Sequence, residues 1–126
     1  MYEICVAAQF EAAHRLVGDF GPATRPHGHT YRMEAIVRGE RLDDDGALYD
    51  VGRLRGAVDE LAASLHYRDL GEVPGLTGVN TTAEAVARYC WEQLAAPLHG
   101  QRLTSLLVRI WESPQVYAAR DERLTP

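Results

Sequence analysis

The chain has 126 residues, of which 46% are hydrophobic and 25% charged, and a formal net charge of −5. This size fits one domain, 1–126, burying around two-thirds of the surface that the unfolded chain exposes, and the composition is that of a folded globular protein. The acidic balance and the scattered arginines argue against nucleic acid or an anionic membrane as the principal partner and leave a small molecule.

The N-terminal stretch, MYEICVAAQFEAAHRL, has an acidic residue at position 3 and no basic leader, and no run approaches the roughly 20 apolar residues of a membrane helix, so a cytoplasmic location is expected. From Tyr2 to Ala12 the even positions Tyr2, Ile4, Val6, Ala8, Phe10 and Ala12 are apolar or aromatic, whereas Glu3, Gln9 and Glu11 are odd. That alternation predicts a strand with an apolar inner face, and His14 continues the inner parity. Cys5 and Cys90 are the only cysteines, each in an apolar run, which predicts two buried free thiols.

VGDFGPATRP, with two Gly and two Pro, reads as a loop. It leads into a second strand, in which Tyr31, Met33, Ala35 and Val37 share a face opposite Arg32, Glu34 and Arg38, ending at Gly39. After the RLDDDG turn come two amphipathic helices. Leu54, Val58, Leu61 and Leu65 form the first apolar stripe, and Val86, Ala87, Cys90, Trp91 and Leu94 form the second. Thr81 and Glu84 suit a capping box at the start of the second helix. LTSLLVRIWESPQVYAAR then predicts a strand, a break at Ser113-Pro114-Gln115 and a short strand to Arg120. The order ββααββ implies an α+β domain, a four-stranded antiparallel sheet with two helices on one face.

His27 and His29 are two residues apart, so on a strand that begins at His27 both face the side carrying Tyr31 and Met33. An antiparallel neighbour could bring His14 beside them. Three nitrogens with an open fourth position describe a catalytic zinc site. The residues alone leave a second reading open, a polar His-Gly-His loop with His14 as a hydrogen-bonded core histidine. Glu112 is equally two-sided. It closes the apolar parity Leu106, Val108, Ile110, where burial costs several kcal/mol without a partner, or it turns to solvent at the Ser113-Pro114 break. No lysine is present, so no Schiff base can form, and carbonyl chemistry requires another electron sink.

Phe10-Glu11-Ala12-Ala13-His14-Arg15-Leu16, His27-Gly28-His29, Asn80-Thr81-Thr82-Ala83-Glu84 and Glu112 resemble the motifs of the 6-pyruvoyl- and 6-carboxytetrahydropterin synthases. The resemblance spans nearly the whole chain. It implies a tunnelling fold, a homo-oligomer (trimer or hexamer) with intersubunit active sites, and Zn2+ on His14, His27 and His29. It further implies that Glu112 grips the guanidine-like edge of a pterin and that Thr82 contacts the ring. Family members carry a cysteine where Ala23 stands here, and an Asp-His pair where His66 and Tyr67 stand.

The metal site is thus kept and the proton chemistry rewritten. The expected activity is that of a zinc-dependent lyase acting on a pterin-like or polyhydroxylated small molecule by metal-stabilised enolisation, elimination or retro-aldol in type. His66 is the candidate base, with Tyr67 or Asp69 as proton donor or orienting group, although His66 could equally be a surface histidine after the first helix. The alternatives are a 6-carboxytetrahydropterin synthase with substituted acid and base groups, or a non-catalytic zinc-containing pterin- or purine-binding module.

Overall fold

In the computed structural model, which describes Met1–Pro126, the first alternating segment forms β1 (Tyr2–His14) and the second forms β2 (His27–Gly39). They pair antiparallel without a break, from Tyr2 opposite Gly39 to His14 opposite His27. The apolar parity fixes this register, because a slip by one residue would turn every buried side chain to the other face. Phe10 and Tyr31 are direct cross-strand partners, and their rings stack at 5.0 Å. Thirteen paired residues carry β2 back as far as His27, so the His-Gly-His segment is strand rather than loop.

The helices are α1 (Val51–Leu65) and α2 (Ala83–Ala95). Asp50 caps α1 by accepting the Arg53 amide at 3.2 Å, which relieves one of the unpaired donors at a helix start. Both expected stripes are buried: Leu54, Val58, Leu61 and Leu65 on α1, and Val86, Ala87, Cys90, Trp91 and Leu94 on α2. Each such Leu or Val contributes roughly 1.5–3 kcal/mol through burial. The Trp91 indole also donates to the Leu106 carbonyl at 2.7 Å, tying α2 to the sheet beneath it.

The second helix begins differently from the expected capping box. Its cap is Thr82, whose hydroxyl accepts the Ala85 amide at 3.2 Å, so Thr81 and Glu84 do not form the reciprocal pair. Thr81 is buried, and its carbonyl is committed to His14.

The last two strands are β4 (Ser105–Ser113) and β5 (Val116–Arg123), the latter running past the expected end at Arg120. Between α1 and α2 the segment Arg68–Asp69 forms β3, parallel to β1 at Ala12 and Ala13. The four expected strands therefore sit in a five-stranded mixed sheet, ordered β3-β1-β2-β4-β5. Two residues are too few to show an alternation, so β3 has no sequence signature.

Both helices pack on one face, α1 over β1 and α2 over β4 and β5, around a core of 27 buried residues. No helix is long and apolar enough to cross a membrane. One expected burial fails: Cys90 is buried, but Cys5 is exposed. Its odd position in β1 places it on the face away from the helices, whatever the hydropathy of its neighbours.

Candidate metal centre

His14, His27 and His29 converge. Cross-strand pairing sets His14 opposite His27, and the two-residue period puts His29 on the same face one step inward. Their candidate ligand atoms all lie within 4.8 Å of one another, and the three ring centroids are separated by 4.5, 4.8 and 5.1 Å.

Hydrogen bonds set the tautomers. The Nδ1 atom of His14 lies 2.7 Å from the Thr81 carbonyl, and that of His27 lies 2.7 Å from the Arg25 carbonyl. A carbonyl only accepts, so each Nδ1 carries the proton and each Nε2 presents a lone pair. Backbone acceptors behind the rings are the usual supports of metal-ligating histidines. The Nε2 atoms of His14 and His29 are buried without any partner in the chain. A structural core histidine satisfies both nitrogens, since an orphaned buried acceptor costs roughly 1–3 kcal/mol.

Protonation points the same way. Burial pushes the pKa of His29 down, and the neighbouring His14 and His27 lower it further, against an opposing pull from Glu112. A neutral imidazole is the ligand form. Three imidazole nitrogens from a rigid sheet, two of them buried and unpaired, fit a borderline-soft divalent cation such as zinc, with room left in its coordination sphere.

Glu112 belongs to this face. The register of β4 against β5 shifts between Trp111 and Ser113, so Glu112 is a bulge residue without a partner on β5. It follows Leu106, Val108 and Ile110, all fully buried, and its charge is felt by both His29 and Tyr31. No hydrogen bond or ion pair engages its half-buried carboxylate. The Tyr31 hydroxyl is also buried and unpartnered, and burial together with Glu112 raises its pKa, so it stays a neutral donor. Sequence reading passed over Tyr31 as one more core aromatic. Only the register, which sets it beside His29 and Glu112, distinguishes it.

The expected acid and base groups lie on the segment that follows α1. His66 ends α1, and its Nδ1 accepts the Glu11 amide at 3.0 Å. Tyr67 is 79% exposed with a φ of 58°, a left-handed conformation that a bulky residue adopts only with strain. The Asp69 carboxylate accepts the Gly71 amide at 2.9 Å. Tyr67 and Asp69 line a cavity of about 460 Å³ with Glu11, Ala13, Gly28 and Thr30, whose parity is opposite to that of the three histidines, and also with His29 and Ala12, which share the histidines' parity. His66 lines a separate recess with Gln9, Asp59 and Ala63. Within one chain, therefore, the histidines and Glu112 meet, Thr82 stands next to the Thr81 carbonyl that supports His14, Tyr67 and Asp69 share a cavity with His29, and His66 opens into a separate recess.

The family model described as 6-pyruvoyl tetrahydropterin synthase matches residues 3–123. The chain is similar to the 6-carboxy-5,6,7,8-tetrahydropterin synthase of Haemophilus influenzae, 26% identical over 97% of this chain and 100% of that one. It is 31% identical to the enzyme of the same name from Synechocystis over 75% of each. Among solved structures, the 6-pyruvoyl tetrahydropterin synthase of Caenorhabditis elegans superposes with a TM-score of 0.82 at 25% identity, covering 96% of this chain and 95% of that one.

Proposed function

The chain belongs to the 6-pyruvoyl tetrahydropterin synthase family, and from that membership we propose that it is a zinc-dependent lyase acting on a pterin-like or polyhydroxylated small molecule. The observation that carries the proposal is the pair of buried, unpartnered Nε2 atoms on His14 and His29, converging with His27. His14, His27 and His29 would hold the metal, which when bound supplies an electrophile able to polarise a substrate carbonyl or hydroxyl oxygen. In a chain without lysine this is the electron sink that enolisation needs, in an elimination or a retro-aldol cleavage.

Glu112 serves as the ring anchor. Its unpaired carboxylate can accept two N–H bonds from a guanidine-like edge, a charge-assisted geometry stronger than a neutral contact. Thr82 keeps one donor for a ring acceptor, because its oxygen is occupied by the Ala85 amide.

Proton transfer falls to the His66–Asp69 segment. With Nδ1 accepting the Glu11 amide, neutral His66 carries its proton on Nε2 and presents a donor. It becomes a base only when that bond is released. Asp69 retains one carboxylate oxygen, and Tyr67 is displayed to solvent. The opening of His66 into a recess apart from the histidines supports a homo-oligomer, trimer or hexamer, in which this segment of one copy completes the site of the next.

Metal analysis with assays on dihydroneopterin triphosphate and related polyols tests the proposal. One zinc per chain and cleavage to a product other than that of the standard synthases is the expected result. Zinc-free protein would overturn the metal assignment. Unaltered standard activity would make the chain an ordinary 6-carboxytetrahydropterin synthase with substituted acid and base groups. A second reading, a zinc-containing binding module without turnover, is favoured by Ala23 in place of a thiol and by the engaged Nδ1 of His66. Ligand binding without any product identifies it.

A further inference from the structure

Asn80 reaches across the chain to Val17 with both ends of its amide: Oδ1 accepts the Val17 amide at 2.9 Å, and Nδ2 donates to the Val17 carbonyl at 3.0 Å. Two antiparallel bonds to one residue fix distance and orientation together, which a single bond does not. Val17 lies three residues beyond His14, and the residue after Asn80 is Thr81, whose carbonyl accepts the proton of His14 Nδ1 at 2.7 Å. A closed loop results, running from His14 along the chain to Val17, across the amide to Asn80, on to Thr81 and back to the His14 ring. Both flanks are secured, since the Thr82 amide donates to the Asn80 carbonyl at 2.9 Å and the Leu16 amide to the Ala23 carbonyl at 2.9 Å.

We propose that Asn80 is a positioning residue of the metal centre, holding the Thr81 carbonyl against His14 and thereby fixing the tautomer and direction of that ligand. The inference rests on the metal assignment above. The residue type follows from the clamp. Aspartate has no donor for the Val17 carbonyl and sets a charge against it, alanine has neither bond, and glutamine is one methylene too long.

The role of Asn80 is tested on the full chain with Asn80→Asp, which is nearly isosteric and keeps one of the two bonds, and with Asn80→Ala. Zinc affinity is measured by competition with a chromophoric chelator, and ligand geometry by the visible absorption of the cobalt(II)-substituted proteins. Circular dichroism of the metal-free forms establishes that they are folded. The expected result is a ten- to hundredfold loss of zinc affinity, the usual effect of removing an outer support of a ligand, with altered cobalt bands and an unchanged dichroism spectrum. Folded variants with wild-type affinity and cobalt bands would overturn the positioning role alone. Wild-type protein that takes up no zinc would overturn it together with the metal assignment.

Discussion

A side chain's role at this site depends on which of its atoms are already engaged. His14 has one nitrogen held by a carbonyl and one buried and free, and that asymmetry makes it a ligand candidate rather than a core histidine. Glu112 has neither oxygen engaged. Glu112→Gln is therefore expected to keep the metal and to weaken binding of a pterin-like ligand on the order of a hundredfold, since a hydrogen bond to a charged group is worth roughly 1.5–3 kcal/mol. Isothermal titration alongside zinc analysis checks both halves. A glutamine variant that binds as tightly as the parent would remove Glu112 from the site. Strand parity made the common face of His27 and His29 legible in the sequence, whereas bringing His14 to them took the antiparallel register of β1 and β2 and, before it, the family resemblance. The engagement of His66 was not legible, because its bond to Glu11 joins residues 55 apart in the chain.

At the scale of elements, local rules succeeded where a single segment decides the outcome and failed where a distant one intervenes. The capping box lay one residue off because the Thr81 carbonyl answers to His14 on β1, leaving Thr82 to cap α2. Thr82→Ala is expected to cost about 1 kcal/mol of stability, whereas Thr82→Ser keeps the cap. Urea titration of the two variants separates capping from any loss of ligand affinity. Hydropathy likewise misplaced Cys5 yet placed Cys90 correctly, because α2 turns Cys90 into the core. Burial pushes the Cys90 thiol up to about 12, so at pH 8 it is protonated as well as inaccessible. A Cys5→Ser variant should therefore show no thiol reactive to Ellman's reagent until it is unfolded. Prompt labelling of the native variant would contradict the packing of α2.

For the whole molecule, the arrangement of one chain brings only part of its own chemistry together. The histidines and Glu112 face the helix side of the sheet, while Tyr67 and Asp69 line a cavity that meets the triad at His29 alone, and His66 opens into another recess. Tyr67 holds a left-handed conformation, normally left to glycine, on a ring that is 79% exposed. Such strain is common where a displayed side chain has a use; within the chain the ring packs on His66 at a centroid distance of 3.8 Å, and no hydrogen bond of the same chain gives its hydroxyl a use. A second copy of the chain would, if the His66–Asp69 segment of each protomer enters the metal site of its neighbour. Two inactive variants, His14→Ala and Asp69→Asn, put this to a direct test when co-expressed. If each site draws on two chains, a mixed oligomer contains sites whose metal half comes from one variant and whose proton half comes from the other. Random cyclic assembly then restores about a quarter of the wild-type activity in the whole mixture, and about a third in trimers selected for carrying both variants. If each chain works alone, every site carries one lesion and the mixture stays as inactive as its components. Activity measured on co-purified, doubly tagged oligomers decides between them, and a mixed oligomer without activity would return His66, Tyr67 and Asp69 to the surface of the protomer.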